Sequence, residues 1–313
     1  MPLDSTAPAV ALTDVRRSFG AVVAVDGLTV EVPRGTVTVL LGPNGAGKTT
    51  VVRLVTGALR ADAGAVRTLG LDPEVASDGT EVRRHCGVVP ARPALYDRLN
   101  GHDNLHYAAE LFAVDRDVID ARIAEAADRF GIADALEHRV GGYSTGMRAR
   151  LALARAVLHE PDLLLLDEPT AGLDPESARA VLGLIDDMAE DGKTVMMCTH
   201  LLLEAEGLAD QVVVMDHGRA VVWGSPEELT RRYWPAARVL LDAEDPAVLD
   251  MARDLPFVRA YERNGVALVD LADDGSVADL VDALVGAGAR LQRVEPRAPS
   301  LEELYFEIRR LTP

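Results

Sequence analysis

Short β-branched and aliphatic runs alternate with segments of helical periodicity over roughly residues 10 to 230. The runs are bounded by Gly, Pro and Asp, which favours strands, and they lie at 10–15, 22–25, 28–32, 36–41, 65–69, 87–89, 162–166, 194–199, 211–215 and 220–223. Helical spacing of apolar residues occurs at 48–59, 103–112, 117–130, 145–159, 175–190 and 201–208. Alternating strands and helices predict a parallel α/β sheet. The region from about 92 to 160 is predicted to be a helical insert in it.

The order of elements changes near Tyr233-Trp234-Pro235. Beyond this point the pattern predicts a βαββαβ unit, closed by a helix over residues 300–310, with an Asn264-Gly265 turn between its middle strands. We therefore predict two domains. The first, 1–235, is α/β with the helical insert, and the second, 236–313, is a small α+β domain of ferredoxin-like type.

Composition and charge restrict the function. No apolar run approaches the ~18 residues of a membrane-spanning helix, and the N-terminus lacks a signal-peptide pattern, so a cytoplasmic protein is expected. The chain has 32 basic and 50 acidic residues, a formal net charge of -18. This excess disfavours binding to nucleic acid or to an anionic membrane surface. A diffuse acidic surface with few lysines also suits the salt-rich cytoplasm of a halophile, although an arginine-biased genome would explain part of this composition. Cys86 and Cys198 predict no disulfide or zinc site.

The strongest chemical motif lies between the strand at 36–41 and the helix at 48–59. It reads Gly42-Pro43-Asn44-Gly45-Ala46-Gly47-Lys48-Thr49 and fits the GxxxxGK[ST] pattern of a nucleotide phosphate site. Glycines let successive backbone N–H groups turn toward phosphates, and the helix N-terminus adds its positive dipole end. We predict that Lys48 binds the β- and γ-phosphates, that Thr49 binds Mg²⁺, and that the nucleotide contacts extend to Thr50.

A second motif places two carboxylates after a buried strand. It reads Leu163-Leu164-Leu165-Leu166-Asp167-Glu168. In open α/β sheets the carboxyl ends of strands are where ligands bind. We predict that Asp167 holds Mg²⁺ and that Glu168 acts as the base toward the water that attacks the γ-phosphate.

A third motif carries a family resemblance. The run Gly141-Gly142-Tyr143-Ser144-Thr145-Gly146-Met147-Arg148-Ala149-Arg150 resembles the LSGGQ signature of ABC ATPases in its YSxGMxxR form. Ala171-Gly172-Leu173-Asp174 resembles the family's D-loop, His200 its switch histidine, and Phe19 the aromatic that stacks on adenine. These motifs occur in the family's order and span about residues 9 to 230.

The resemblance implies a P-loop NTPase fold, with a RecA-like core, an antiparallel β subdomain and the helical insert. It also implies a head-to-tail homodimer that forms with ATP. Each ATP would lie between the phosphate loop of one subunit and the signature of the other, where Ser144 and Gly146 contact the γ-phosphate and Asp174 adjoins the site. Ser144 is equally suited to cap the helix that follows it. The two roles are compatible.

One position departs from the family pattern. Where the family usually has a glutamine after the strand at 86–89, this chain reads Pro90-Ala91-Arg92-Pro93, so alanine stands at the expected position. Alanine can neither bind Mg²⁺ nor orient water. The ARPALYDRL segment and the ending SLEELYFEI resemble ABC exporters of type 2.

The leading hypothesis is therefore the ATP-hydrolysing subunit of an ABC exporter. It requires a separate polytopic permease, through which the chain would be peripheral to the inner face of the cell membrane. A soluble ABC protein of translation or DNA maintenance is disfavoured, because the chain has one cassette and no coiled-coil or zinc insert. A nucleotide-dependent regulatory module has only Ala91 in its support, whereas Glu168 and His200 indicate hydrolysis.

Overall fold

The structure is a computed structural model that describes residues 6–234, 237–272 and 276–311. The chain divides into two compact units, Met1–Ser225 and Pro226–Pro313. The predicted boundary after residue 235 falls on residues outside the described ranges. The division lies earlier because the helix Pro226–Tyr233 packs against the last helix of the second unit.

The first unit contains two sheets. Its strands are β1 (Val10–Phe19), β2 (Val22–Val32), β3 (Val37–Leu41), β4 (Ala63–Thr68), β5 (Cys86–Val89), β6 (Leu163–Asp167), β7 (Thr194–Thr199), β8 (Gln211–Asp216) and β9 (Arg219–Gly224). Six of them form a sheet of order β5-β6-β7-β3-β8-β9, parallel except for β9. The other three form an antiparallel sheet of order β2-β1-β4. This confirms the predicted α/β core with its antiparallel subdomain.

Seven α-helices of the described residues belong to this unit. They are α1 (Lys48–Val55), α2 (Ala76–Arg84), α3 (Gly101–Leu111), α4 (Ile119–Arg129), α5 (Thr145–Val157), α6 (Pro175–Glu190) and α7 (Leu202–Ala205). Helices α3, α4 and α5 lie between β5 and β6 in the chain and pack on one another, as the helical insert required. Helix α2 was absent from the sequence prediction because its segment, ASDGTEVRR, offers only one large apolar side chain, Val82, to the core.

The central strands are mostly apolar because both faces of the parallel sheet are covered. Every residue of β3, β6 and β7 is buried. Since β6, β7 and β3 are consecutive neighbours in the sheet, the loops at their carboxyl ends meet. Those loops carry the phosphate-loop motif, the acidic pair and His200.

The second unit contains α8 (Pro226–Tyr233), β10 (Arg238–Ala243), a 3₁₀ segment (Pro246–Asp254), β11 (Val258–Asn264), β12 (Val266–Leu271), α9 (Val277–Gly286), β13 (Leu291–Arg297) and α10 (Leu301–Leu311). Its antiparallel sheet has the order β11-β12-β10-β13, which is the ferredoxin-like order for a βαββαβ chain. Its core contains residues of the sheet and of the covering helical segments: Val239 and Leu241 of β10, Val269 of β12, Leu249 and Leu280.

Several element bounds differ from the prediction. Strand β1 extends to Phe19 rather than ending at residue 15, and α7 covers only Leu202–Ala205 of the predicted 201–208. Helix α1 ends at Val55 because Gly57 adopts φ 69°, a left-handed conformation that stops the helix. The segments 22–25 and 28–32 form one strand, since Asp26 stays paired with Arg16 of β1 and the register shifts at Gly27. The segment 246–254 is 3₁₀ rather than α-helical. Within the described ranges, no helix combines the length and apolar character that a membrane crossing needs.

Candidate nucleotide site

The phosphate-loop segment turns tightly between β3 and α1, and its glycines are required by close backbone contacts. Gly45 and Gly47 have φ values of 86° and 103°, which side-chain-bearing residues rarely adopt. A Cβ at Gly47 would lie 2.3 Å from the carbonyl oxygen of Ala24, and one at Gly42 would lie 2.4 Å from that of Met215. The loop therefore packs this closely against β2 and β8 only because Gly47 and Gly42 carry no side chain.

Lys48 is buried at the first turn of α1, with 5% of its surface exposed. Its ammonium nitrogen, Nζ, donates to the carbonyl oxygen of Gly42 at 2.7 Å and to that of Pro43 at 3.3 Å. It also lies 3.4 Å from Oε1 of Glu168. The cation thus sits between the phosphate loop and the acidic pair, where it can reach phosphate oxygens bound by the loop.

Thr49 and Asp167 form a pair of hard oxygen donors beside Lys48. The Thr49 hydroxyl donates to Oδ2 of Asp167 at 2.8 Å. The other oxygen of this carboxylate, Oδ1, is buried and has no hydrogen-bond partner among the described residues. Burial raises the pKa of Asp167, an effect opposed by the Thr49 hydrogen bond. An unpartnered buried carboxylate oxygen next to a hydroxyl fits the ligand chemistry of Mg²⁺.

Glu168 adopts the left-handed conformation at the end of β6, with φ 53°. Its backbone N–H donates to the carbonyl oxygen of Cys198 at 2.8 Å, which continues the pairing with β7. Its side chain turns the other way from that of Asp167, and Oε2 lies 2.7 Å from Nδ1 of His200. The structure therefore brings together Lys48, Glu168 and His200, which follow three different strands, β3, β6 and β7.

The signature and D-loop segments occupy the N-termini of two neighbouring helices. The hydroxyl of Ser144 accepts from the N–H of Met147 at 3.2 Å, so Ser144 caps α5. Asp174 caps α6 by accepting from two backbone N–H groups, and its hydrogen bonds to Ser177 lower its pKa. A Cβ at Gly146 would lie 3.0 Å from the Ser177 hydroxyl, which shows that these two N-termini adjoin.

Phe19 ends β1 with 45% of its surface exposed. The guanidinium of Arg17 lies 4.9 Å from the ring centroid, and Arg17 is held in turn by Asp62 at 2.7 Å. An exposed aromatic ring backed by a cation can present its free face to a planar ligand.

Ala91 lines a cavity of about 920 Å³ that Thr49 and Asp167 also line. This is the position at which the family pattern expects glutamine. The arginines around the same cavity are Arg53, Arg83, Arg84 and Arg92.

Sequence reasoning missed one residue of this region, Glu204. It is buried, and its carboxylate accepts hydrogen bonds from the hydroxyls of Thr170 and Thr199, which flank the acidic pair and His200. The available signal was the glutamate itself, which interrupts the apolar run Leu201-Leu202-Leu203 and Ala205.

A phosphate loop, a hydroxyl–carboxylate pair and a carboxylate–histidine pair at the ends of adjacent parallel strands define a P-loop nucleotide hydrolase. Comparison with known proteins refines this class. The ABC transporter family profile matches residues 25–171. Daunorubicin resistance ATP-binding protein DrrA3 of Streptomyces coeruleorubidus is 35% identical over 310 residues, which cover 96% of this chain and 95% of that protein.

Two further matches agree. Nod factor export ATP-binding protein I of Rhizobium sp. (strain N33) is 33% identical over 300 residues, with 96% of each chain covered. A solved structure described as an ATP-binding subunit of an ABC transporter aligns with a TM-score of 0.65 and 27% identity, and covers 72% of this chain and 93% of that one. The chain belongs to the ABC transporter ATP-binding proteins, and it is an ATP-hydrolysing cassette.

Proposed function

We propose that this chain energises an exporter, as a homodimer bound to a separate polytopic membrane permease. The observation that carries the proposal is the cluster of Lys48, Thr49, Asp167, Glu168 and His200 at the ends of three neighbouring strands. The names of the relatives, which concern drug resistance and Nod factor export, support the direction of transport.

The phosphate loop, residues 42–50, binds the phosphates of ATP. Backbone N–H groups and the N-terminus of α1 attract the anion, and Lys48 exchanges its carbonyl contacts for the β- and γ-phosphate oxygens. Phe19 stacks on the adenine. Thr49 and Asp167 would hold Mg²⁺, which would supply positive charge to neutralise the transferred phosphoryl group.

Glu168 is the base in this proposal. It accepts a proton from the water molecule that attacks the γ-phosphorus, and the products are ADP and inorganic phosphate. His200 fixes the orientation of the Glu168 carboxylate through the 2.7 Å contact. The Glu168–His200 pair favours an enzyme that hydrolyses ATP over a regulatory module that only binds nucleotide.

The site is complete only in a dimer. Ser144 and Gly146 at the N-terminus of α5 contact the γ-phosphate held by the partner subunit, and Asp174 lies beside that contact. Because the γ-phosphate touches both subunits, ATP favours the closed dimer and hydrolysis releases it. Opening and closing drive the permease, which places the chain at the inner face of the cell membrane.

The partner is tested by purifying tagged full-length protein from detergent-solubilised membranes of the source organism. A polytopic membrane protein should co-purify in a near one-to-one ratio, and it should be absent from a sample that carries an untagged chain. Recovery of the chain with ribosomes or DNA, or without a membrane protein, would refute the exporter assignment while leaving ATP hydrolysis intact.

A further inference from the structure

A buried carboxylate joins the loops that carry the two proposed catalytic side chains. Glu204, in α7, is 7% exposed, and its oxygens accept from the hydroxyls of Thr170 and Thr199. The Thr199 contact measures 2.7 Å. Thr170 and Thr199 are themselves 4% and 0% exposed, so water does not compete for these hydrogen bonds.

The two threonines lie beside the reactive groups. Thr170 follows Glu168 by two residues in the loop after β6. Thr199 is the last residue of β7 and directly precedes His200. The Thr199 hydroxyl also accepts from the backbone N–H of Leu201 at 3.0 Å. Glu204 therefore hydrogen-bonds to a threonine beside each member of the Glu168–His200 pair.

We infer that Glu204 is a positioning residue for hydrolysis, which holds the loop of Glu168 and the loop of His200 at the separation their contact requires. The inference rests on the proposed roles of Glu168 and His200. A loop displacement of about 1 Å is enough to impair a reaction that depends on an aligned base. Glu204 contacts neither nucleotide nor water in this account, so it should affect turnover and not affinity.

The test compares four variants by steady-state ATPase kinetics and by equilibrium binding of ATP. Glu204→Ala should lower kcat by about tenfold or more, while KM and ATP affinity change by less than about twofold. Glu204→Gln should stay within about threefold of the wild-type rate, because an amide can pair with hydroxyls that both donate and accept. Thr199→Val should show a smaller loss of kcat than Glu204→Ala.

Glu206→Ala is the matched control, since that glutamate lies two residues away and is exposed. Its kinetics should equal those of the wild type.

A Glu168→Gln background separates positioning from general loosening of the fold. There the Glu204→Ala substitution should change the residual rate by less than about twofold, because the base it positions is already absent. An independent structural role would lower the residual rate by the same factor as in the wild type, and that result would overturn the inference.

Three further outcomes are decisive. If Glu204→Ala does not fold, Thr199→Val and Thr170→Val take its place, and wild-type kcat in both would overturn the inference. If Glu168→Gln and His200→Ala hydrolyse ATP normally, the proposed site roles fail. If those two are inactive while Glu204→Ala turns over at the wild-type rate, only the positioning role fails.

Discussion

Asp167 and Glu168 are adjacent in sequence but have different partners. Asp167 is buried beside the Thr49 hydroxyl, and burial raises its pKa, whereas Glu168 turns through a left-handed conformation toward His200 and Lys48. A cation bound at Asp167 would favour its ionised form and offset the effect of burial. The two carboxylates therefore have different surroundings, which suit the proposed roles of Asp167 as a metal ligand and of Glu168 as a base.

Glu168→Gln should nearly abolish hydrolysis while ATP affinity is preserved, because the amide keeps the shape of the side chain and loses the base. A rate loss of about a hundredfold or more is expected for removal of a general base. The measurements are phosphate release and calorimetric ATP binding. Glu190→Gln, an exposed glutamate at the end of α6, is the control. Hydrolysis that continues near the wild-type rate would show that Glu168 is not the general base.

Ala91→Gln tests the departure from the family pattern. The new side chain would extend into the cavity that Thr49 and Asp167 line, so we expect hydrolysis to change several-fold or less, about 1 kcal/mol in barrier, with little change in affinity. Steady-state ATPase activity and equilibrium ATP binding are measured for both forms. A strong shift in affinity with an unchanged rate would mean that residue 91 is not at the family's glutamine position.

At this scale the sequence could predict the residues whose motifs are local. The phosphate-loop segment and the acidic pair are contiguous, and both lie at strand ends as expected. Glu204 could not be predicted in the same way, because its partner Thr170 is 34 residues away in the chain. Only the pairing of β6 with β7 brings the two loops together.

At the scale of elements, the junction of β3 and α1 depends on glycines that leave no room for a side chain against the neighbouring backbone. Gly47→Ala would place a methyl group 2.3 Å from the Ala24 carbonyl in a left-handed conformation. Such strain costs on the order of 1–3 kcal/mol, so we expect a lower melting temperature and at least a tenfold loss of ATP affinity, an order-of-magnitude estimate from displaced phosphate donors.

The matched control is Gly183→Ala in α6, where an added Cβ meets nothing within 4 Å. It should leave ATP binding unchanged and raise stability by roughly 0.5–1 kcal/mol. Thermal unfolding and calorimetry measure both variants. Equal ATP affinity in Gly47→Ala and the wild type would contradict the requirement for glycine at this position.

The elements predicted from the sequence were those with strong periodicity. Strands β6 and β7 are continuous apolar runs, and α6 and α9 have a capping residue before an amphipathic repeat. Helix α2 was not predicted and depends on tertiary contacts instead. The segment 246–254 was predicted as a helix and is helical, but of the 3₁₀ type. In α2, Gly79 packs closely against Pro73, and no local sequence pattern predicts this contact.

At the scale of the molecule, the net charge of -18 remains a feature without a local function. Repulsion among 50 acidic side chains destabilises the folded state at low ionic strength. We expect the melting temperature to rise when KCl is raised from about 0.1 M to about 2 M, because the Debye length shrinks to a few ångströms. A flat or falling melting temperature would contradict adaptation to high salt.

The central claim is that ATP hydrolysis takes place between two copies of this chain. Sizing of the Glu168→Gln variant tests it most directly, with light scattering on the column and saturating Mg²⁺ and ATP. Ser144→Asp in the same background is the control, since aspartate keeps the helix cap but opposes the partner's γ-phosphate. The account predicts a stable dimer with ATP, a monomer with ADP, and a monomer that still binds ATP in the double variant. A Glu168→Gln protein that binds one ATP per chain and remains monomeric would contradict it.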